Sequence, residues 1–284
     1  MPKNIRIIPR LDIKGPNLVK GIHLEGLRVL GKPELFAKYY YDSGADELIY
    51  TDIVASLYGR NNLLDIIRRT ANEIFIPLTV GGGIRALEDI SAVLGAGADK
   101  VSINTAAVND PEFIKRASRR FGSSTIVISI EAIRQPDGGY LAYTDNGRQE
   151  TGKEVRAWAL RAQEMGAGEI LLTSIDKEGT GEGYDVELTR LVSEAVDIPV
   201  IALGGAGDVD DVFKVIAEGK ADAASMASIL HYYFLEHYDM LKHEYTCEGN
   251  IEFLKSGRAF SKIKTVSLQT IKKHLIERNI DCRP

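Results

Sequence analysis

The sequence has little cysteine and no clustered metal ligands. Its two cysteines, Cys247 and Cys282, lie far apart and outside any metal-ligand spacing. We expect both to be free thiols, because no secretion signal points to an oxidising compartment. The histidines and carboxylates are not spaced as metal sites either. The sequence therefore predicts neither a metal nor another cofactor.

Long apolar runs and excess positive charge are also missing. No apolar run approaches the roughly 18 residues of a membrane-spanning helix, and the first residues lack the apolar centre of a signal peptide. A net charge of -5 excludes the basic surface of a nucleic-acid-binding protein. We therefore predict a cytosolic protein that binds neither membranes nor nucleic acid.

Short β-rich segments, alternating with helical segments, fill most of the chain. Apolar residues recur at helical spacing between them, as in 61–73 and 153–165, and such alternation is typical of a parallel sheet covered by helices. Eight βα units in one chain predict a (β/α)8 TIM barrel, with residues 1–284 as a single domain. The predicted strands are 5–11, 47–52, 75–80, 99–103, 125–131, 169–174, 198–203 and 222–227.

The two halves of the chain resemble each other. Residues 80–105 align without gaps on 203–228, and IIPRLDI at 7–13 aligns on IVISIEA at 126–132. Such self-similarity predicts a barrel built of two fused half-barrels. The repeated architecture explains the matching apolar positions but not the matching polar ones.

A carboxylate stands at the same place in each half, Asp12 in the first and Glu131 in the second. Residues at the carboxyl ends of barrel strands surround the active site, and two opposed carboxylates can act as general acid and general base. The structural alternative is that Asp12 caps a loop and that Glu131 pairs with an arginine such as Arg134.

Glycine-rich turns follow the third and seventh predicted strands, at 81–83 and 204–207. Glycine lets backbone N–H groups approach an anion, and helices starting after the fourth and eighth strands would add N-termini that attract phosphate. We call Gly82 and Gly83 with Asn104 and Thr105 the first cradle. The second cradle comprises Gly204 and Gly205 with Ala227 and Ser228. Two cradles predict a ligand with a phosphate at each end, whereas simple tight turns remain the alternative.

Several longer stretches carry a family resemblance: GADEL at 44–48, FIPLTVGGGIR at 75–85, GADKVSIN at 97–104, GAGEILLTS at 166–174, GYDVELTR at 183–190 and GGAG at 204–207. Together they make the chain similar to the HisF family, the cyclase subunits of imidazole glycerol phosphate synthase. The resemblance spans residues 5–235 and resumes at the C-terminal helix.

The resemblance implies a (β/α)8 cyclase/lyase of histidine biosynthesis that takes ammonia from a separate glutaminase subunit. The substrate would be a doubly phosphorylated ribulosyl formimino carboxamide nucleotide, with Asp12 and Glu131 as the acid–base pair. Ammonia would enter the opposite face through a charged ring that we call the gate ring: Arg6, Glu47, Lys100 and Glu169. The implied substrate-binding residues are the two cradles together with Lys20, Thr173, Asp176 and Gly179.

Four residues depart from the family pattern, and all belong to the catalytic mouth. Glu131 and Glu178 replace aspartates, Arg10 replaces a small or thiol side chain, and Leu203 replaces a serine. One added methylene moves a carboxylate by more than about 1 Å, which acid–base geometry rarely tolerates. The gate ring, by contrast, is complete.

An additional segment at about 237–265 follows the last predicted strand, on the catalytic side. It contributes His243, Lys255, Arg258 and Lys262, and is either a surface excursion or a part of the pocket. His23 and His231 are further pocket candidates, although a lone histidine more often has a structural role.

Two other functions remain open at this point. The altered mouth also fits a HisF-like paralogue that supplies ammonia for amidation of a sugar in surface-polysaccharide (lipopolysaccharide) biosynthesis. A barrel that only activates its glutaminase, without catalysis of its own, would keep the same gate ring.

Overall fold

The computed structural model describes residues 4–23, 25–53, 63–238 and 263–283, and its centre is a closed ring of parallel strands. Eight strands form the ring in the order β10-β11-β12-β1-β4-β5-β6-β7, and β7 closes it by pairing with β10. The (β/α)8 barrel is thus confirmed. The strands are β1 (Arg6–Lys14), β2 (Asn17–Ile22), β3 (Glu25–Gly31), β4 (Leu48–Asp52), β5 (Leu78–Gly81), β6 (Lys100–Ile103), β7 (Ile126–Arg134), β8 (Tyr140–Thr144), β9 (Gln149–Glu154), β10 (Glu169–Ser174), β11 (Val200–Leu203) and β12 (Ala223–Met226).

Helices cover the outside of the ring. Their starts are set by side-chain caps where the sequence supplies them: the Asp208 carboxylate accepts from the amides of Asp210 and Asp211, and Ser267 accepts from Thr270. The helices are α1 (Pro33–Asp42), α2 (Leu64–Ala71), α3 (Leu87–Gly95), α4 (Thr105–Asn109), α5 (Glu112–Phe121), α6 (Val155–Glu164), α7 (Val186–Ser193), α8 (Val209–Ala217), α9 (Ser228–His237) and α10 (Leu268–Glu277). None of these described helices is long and apolar enough to cross a membrane.

Side chains of the barrel strands point alternately to an outer core, under the helices, and an inner core, inside the ring. On β1, Ile7 and Leu11 pack outward against the helices, whereas Ile8 faces a separate apolar cluster inside the ring. Because the side-chain period of a strand is two, Arg6, Arg10 and Asp12 share the inward side with Ile8. The inner cluster forms one apolar layer across the barrel: Ile8, Ile49, Val127, Leu171, Ile201, Leu203 and Ala223.

Two β-hairpins extend the barrel at positions that the sequence analysis did not predict. The β2–β3 hairpin adds to the end of β1, and the β8–β9 hairpin adds to the end of β7. Since β1 and β7 are equivalent strands of the two half-barrels, the hairpins repeat the internal symmetry. They pair beside the two carboxylates, with Asp12 opposite Val19 and Glu131 opposite Tyr143.

Most of the additional segment at about 237–265 lies outside the described residues, as do Cys247 and the four basic candidates His243, Lys255, Arg258 and Lys262. Where the description resumes, the Lys264 amide donates to the Gly207 carbonyl at 2.8 Å. Farther on, the buried Lys272 of α10 reaches Asp46 at 2.9 Å and attaches that helix to the barrel. Cys282, at the C-terminal end, is a buried free thiol.

A matched pair of phenylalanines tests the packing between α1 and α9. The Phe36 ring is fully buried, with its centroid 4.3 Å from that of Phe234, whereas Phe75 is 82% exposed. We expect Phe36→Ala to lower the free energy of unfolding by about 3–5 kcal/mol through loss of buried area and creation of a cavity. Phe75→Ala should change it by less than about 0.5 kcal/mol. Urea denaturation followed by circular dichroism measures both, and equal losses would contradict the described packing.

Candidate active site

The ring order places the two carboxylates on opposite sides of the barrel. Four strand steps separate β1 from β7 in either direction around the ring of eight. Asp12 and Glu131 both face inward near the carboxyl ends of these strands, and both are buried, with 2% and 9% of their surface exposed. The opposed pair expected from the half-barrel alignment is therefore present at the catalytic end.

Asp12 is held between two cations. Its carboxylate accepts from Arg10 Nε at 2.7 Å and lies 3.6 Å from Lys20 Nζ. Burial raises the pKa of Asp12, but the attraction of Arg10 and Lys20 outweighs it, so the pKa falls below its ordinary value. Asp12 is therefore ionised near neutral pH, and it does not act as a loop cap.

Lys20 connects Asp12 to a third carboxylate. Its ammonium group also pairs with the Glu178 carboxylate, and the side chains of both residues are 3% exposed. Arg10 interacts electrostatically with Asp12, Glu178 and Glu131. The mouth thus contains a buried set of two cations and two paired anions, which we call the charge quartet: Arg10, Asp12, Lys20 and Glu178.

Glu131 stands apart from the charge quartet and has a different protonation behaviour. Its carboxylate accepts from the Gly147 amide at 2.9 Å. Burial raises the pKa of Glu131 to about 7, against the opposing effects of Arg10 and of the Gly147 and Asn104 hydrogen bonds, with a contribution from nearby Asp145. Arg134, which the structural alternative offered as its partner, pairs instead with Glu187 at 3.0 Å.

A cavity of about 430 Å³ opens beside Glu131. It reaches from the rim residue Arg116 inward to Ser129 and Leu171, and Arg10 and Glu131 both line it. Asp12 is not among its lining residues, but its hydrogen-bond donor Arg10 is. Of the acid–base pair expected from the sequence, Glu131 therefore lines the cavity directly. Asp12 is connected to the cavity only by its hydrogen bond with Arg10.

The first cradle lines the same cavity. Gly82, Gly83, Asn104 and Thr105 border it, and Thr105 begins α4, as the sequence analysis predicted. Gly82 has a φ of 94°, and a Cβ there would lie 2.3 Å from the Asp52 carbonyl oxygen. Glycine at this position is thus required by the fold itself, whether or not an anion binds.

The second cradle is nearly filled. Gly204, Ala227 and Ser228 surround a space of only about 20 Å³, together with Lys20 and Glu178. Ser228 begins α9, as predicted. Gly205 accepts from the Gly183 amide at 2.8 Å and is buried. The two cradles are equivalent in sequence but differ in the space that they leave for a ligand.

The remaining predicted binding residues lie around the strand ends with separate contacts. Thr173 is buried on β10, and its hydroxyl has no hydrogen-bond partner among the described residues. Asp176 is exposed and accepts from the Arg134 amide at 2.8 Å. Gly179 lies against the backbone of β2, where a Cβ would be 2.7 Å from the Gly21 carbonyl oxygen, and it borders the small space of the second cradle.

The two histidine candidates have structural contacts. His231 is fully buried between helices, where Nδ1 lies 2.6 Å from the Tyr40 hydroxyl, and burial lowers its pKa to about 3. It is therefore a neutral core histidine near neutral pH. His23 Nδ1 lies 2.8 Å from the Ile175 carbonyl oxygen and joins β2 to the loop after β10.

The gate ring forms a closed set of ion pairs at the opposite end of the barrel. Arg6 Nη1 lies 2.7 Å from Glu47 and 3.0 Å from Glu169, and Lys100 Nζ lies 3.0 and 3.1 Å from the same two carboxylates. The second carboxylate oxygens of Glu47 and Glu169 are buried and lack hydrogen-bond partners in the part of the chain that the structure describes. They leave two acceptors that a small donor could use.

Hydroxyl groups continue from the gate ring towards the cavity. Thr79, Thr173 and Ser225 carry buried hydroxyls without hydrogen-bond partners among the described residues, and they come from three different barrel strands. Buried hydroxyls of this kind are sites for small polar molecules. The apolar layer of the barrel is thus lined in places by groups that could bind ammonia or water.

One turn of the site escaped the sequence analysis. Asp145 and Asn146 form the tip of the β8–β9 hairpin, with φ values of 54° and 59°, and both line the cavity. Asn146 Nδ2 donates to the Ile53 carbonyl at 2.6 Å, which holds the tip over the mouth. The signal was available, because Asp-Asn-Gly is a favoured hairpin turn sequence.

Groups of three or more potential metal ligands are absent from the described residues.

The architecture is that of a (β/α)8-barrel enzyme: a cavity at the carboxyl ends of parallel strands, with a carboxylate of raised pKa in its wall. The sequence profile described as "Histidine biosynthesis protein" matches residues 6–236, and the chain belongs to this family.

Curated relatives identify the HisF group within the family. An imidazole glycerol phosphate synthase subunit HisF of Legionella pneumophila is 59% identical over 208 residues, covering 73% of this chain and 98% of the relative. The subunit of the same name from Trichormus variabilis is 51% identical over 230 residues, covering 80% and 90%. The family resemblance expected from the motifs is confirmed.

The raised pKa of Glu131 has a consequence for stability. Its pKa is about 7 in the folded chain against 4.5 ordinarily, so the unfolded chain releases the proton first as pH rises. The contribution of Glu131 therefore lowers the free energy of unfolding as pH rises from 4.5 to about 7. Above about pH 7 this contribution stays constant. We expect Glu131→Gln to gain up to about 3 kcal/mol relative to the original chain between pH 4.5 and 8.

Urea denaturation at pH 4.5 and at pH 8 measures the difference in the free energy of unfolding between Glu131→Gln and the original chain. Glu187→Gln is the matched control, because Glu187 is an exposed glutamate away from the cavity, and its substitution should leave the pH profile parallel to that of the original chain. A Glu131→Gln profile that stays parallel would contradict the raised pKa.

Proposed function

We propose that this chain is the cytosolic cyclase subunit of an imidazole glycerol phosphate synthase. In the proposed reaction, ammonia and a doubly phosphorylated ribulosyl formimino carboxamide nucleotide give imidazole glycerol phosphate and aminoimidazole carboxamide ribonucleotide. Glu131 carries the proposal: a carboxylate with a pKa near 7 lines a cavity bordered by a glycine loop, in a chain 50% to 59% identical to subunits of this name.

The two carboxylates divide the acid–base work by their environments. Glu131 is partly protonated near neutral pH and suits the role of general acid, whereas Asp12 stays ionised beside Arg10 and Lys20 and suits the role of base. Arg10 lines the cavity and donates to the Asp12 carboxylate, whereas Asp12 does not line the cavity itself, so we expect Asp12 to act on a ligand together with Arg10. The longer side chain of Glu131 is positioned by the Gly147 amide.

The cradles and their neighbours would bind the phosphorylated substrate. The first cradle offers an open border on the cavity, and Thr105 starts a helix at its edge. The second cradle leaves only about 20 Å³ beside the Lys20–Glu178 ion pair, so we expect it to receive the other phosphate only after that pair separates. Thr173, Asp176 and Gly179 complete the proposed binding set around the same strand ends.

A glutaminase subunit is the proposed partner at the opposite end of the barrel. The gate ring lies at the amino ends of β1, β6 and β10, where a docked partner could deliver ammonia. The free oxygens of Glu47 and Glu169 and the inner hydroxyls offer acceptors along the route to the cavity. The ammonia would thus cross the barrel without entering solvent.

A second candidate is the paralogue that supplies ammonia for amidation of a sugar in surface-polysaccharide biosynthesis. The filled second cradle favours it, because an acceptor with a single phosphate would need only the open first cradle. The following experiment separates the two candidates.

Turnover with ammonium salt at about pH 8, where some free ammonia is present and a fraction of Glu131 is still protonated, tests the cyclase directly. We expect the purified chain to consume the ribulosyl nucleotide, and we expect Glu131→Gln and Asp12→Asn to lower kcat by about 100-fold or more through loss of proton transfer. Glu187→Gln, which changes an exposed carboxylate away from the cavity, should keep the rate. A folded chain that stimulates a glutaminase without turnover would reject the cyclase and favour a different acceptor or a silent barrel.

A gate-ring variant tests the route of ammonia. Lys100→Met leaves Glu47 and Glu169 with Arg6 alone, so the ring opens. In complex with a glutaminase, we expect glutamine-dependent turnover to fall by about fivefold or more, while ammonium-dependent turnover changes by less than about twofold. Lys115→Met, at a half-buried lysine of α5 outside the gate ring, is the control. Equal losses with glutamine and with ammonium would contradict a role in ammonia delivery.

A further inference from the structure

Arg10 is an unusual residue at the centre of the mouth. It faces inward on β1 above the fully buried Ile8, and only 5% of its surface is exposed. It nevertheless lines the 430 Å³ cavity, on the wall that it shares with Ser129 and Glu131. A guanidinium group therefore stands at the inner end of a space large enough for a small ligand.

Asp12 fixes Arg10 without using all of its donors. The bond to Asp12 runs from Nε at 2.7 Å, and a guanidinium group carries five N–H donors. The terminal amino groups present a planar fork whose geometry matches a carboxylate in two parallel hydrogen bonds. The arrangement holds Arg10 ready for a second planar anion.

The surrounding charges leave room for one added negative charge. The charge quartet contains Arg10 and Lys20 against Asp12 and Glu178, so its charges cancel. Glu131, opposite, is partly protonated near pH 7 and can then donate a hydrogen bond to an anion. An entering carboxylate would therefore meet the Arg10 cation and a partly neutral Glu131, with Asp145 on the same cavity as an opposing charge.

We propose that Arg10 anchors a carboxylate subsite at the inner end of the cavity, so that the chain binds small phosphate esters bearing a carboxylate. The phosphate would lie at the first cradle, where Gly82, Gly83 and Thr105 border the same cavity. The carboxylate would lie between Arg10 and Glu131. This inference goes beyond the proposed cyclase, because the ribulosyl nucleotide carries a neutral carboxamide rather than a carboxylate, and it rests on the proposed cradle only for the phosphate.

Two three-carbon phosphate esters test the subsite. 3-Phosphoglycerate and glycerol 3-phosphate differ in having a carboxylate or a hydroxymethyl group at the end opposite the phosphate. Isothermal titration of the full chain at pH 7 should give a Kd for 3-phosphoglycerate about tenfold or more lower, as expected for a charge-assisted pair. Equal affinities for the two esters, or no binding of either below about 1 mM, would overturn the proposal.

Variants assign the preference to Arg10. Arg10→Gln should bring the two affinities within about twofold of each other, and Arg10→Lys should retain part of the difference, because it keeps the charge and loses the fork. Arg116→Gln is the control: Arg116 is a rim arginine of the same cavity, and its loss should leave the ratio of the two affinities unchanged. An unchanged ratio in Arg10→Gln would overturn the proposal.

The measurement stays informative if a variant fails to fold. The comparison of two esters on the original chain needs no substitution and can reject the subsite by itself. Because binding is measured without ammonia or a glutaminase, a failed cyclase assay leaves the result unaffected. The two proposals can therefore fail separately.

Discussion

The inward alternation of side chains along eight closed strands is the constraint on which the rest of this structure depends. Once β7 pairs with β10, every second residue of each barrel strand must lie inside the ring. On β1 this places Arg6, Ile8, Arg10 and Asp12 in one inward row. The interior therefore has charged groups at both ends and an apolar cluster between them.

Buried charges persist in the mouth because they neutralise one another. An unpaired guanidinium inside a barrel would be costly, and Arg10 is stabilised by Asp12 while Glu178 and Glu131 also act on it. Two of these three carboxylates are the glutamates that depart from the family pattern. Three of the four departures, separated along the chain, thus meet in one electrostatic group, in which an arginine lies among two glutamates and Asp12.

The two half-barrels have the same arrangement of strands and hairpins, but their carboxylates and cradles have different surroundings. Both halves place a carboxylate beside a hairpin, yet Asp12 lies between two cations whereas the effect of burial dominates at Glu131 despite its donors Gly147 and Asn104. Their pKa values therefore move in opposite directions. The cradles differ too, since the first borders a cavity of about 430 Å³ whereas the second, beside a lysine–glutamate pair, leaves only about 20 Å³. Duplication supplied the frame, and local substitution made the site asymmetric.

The sequence by itself determined the barrel, its eight strands, the half-barrel pairing of Asp12 with Glu131 and the four members of the gate ring. These follow from local periodicity, internal repetition and family motifs, which a single chain displays directly. Only the tertiary structure decided that Arg10 rather than Asp12 lines the cavity, that the second cradle leaves little space and that the β8–β9 turn reaches Glu131. Each of these depends on side chains far apart in sequence, such as Lys20 and Glu178, whose contact exists only after the ring has closed.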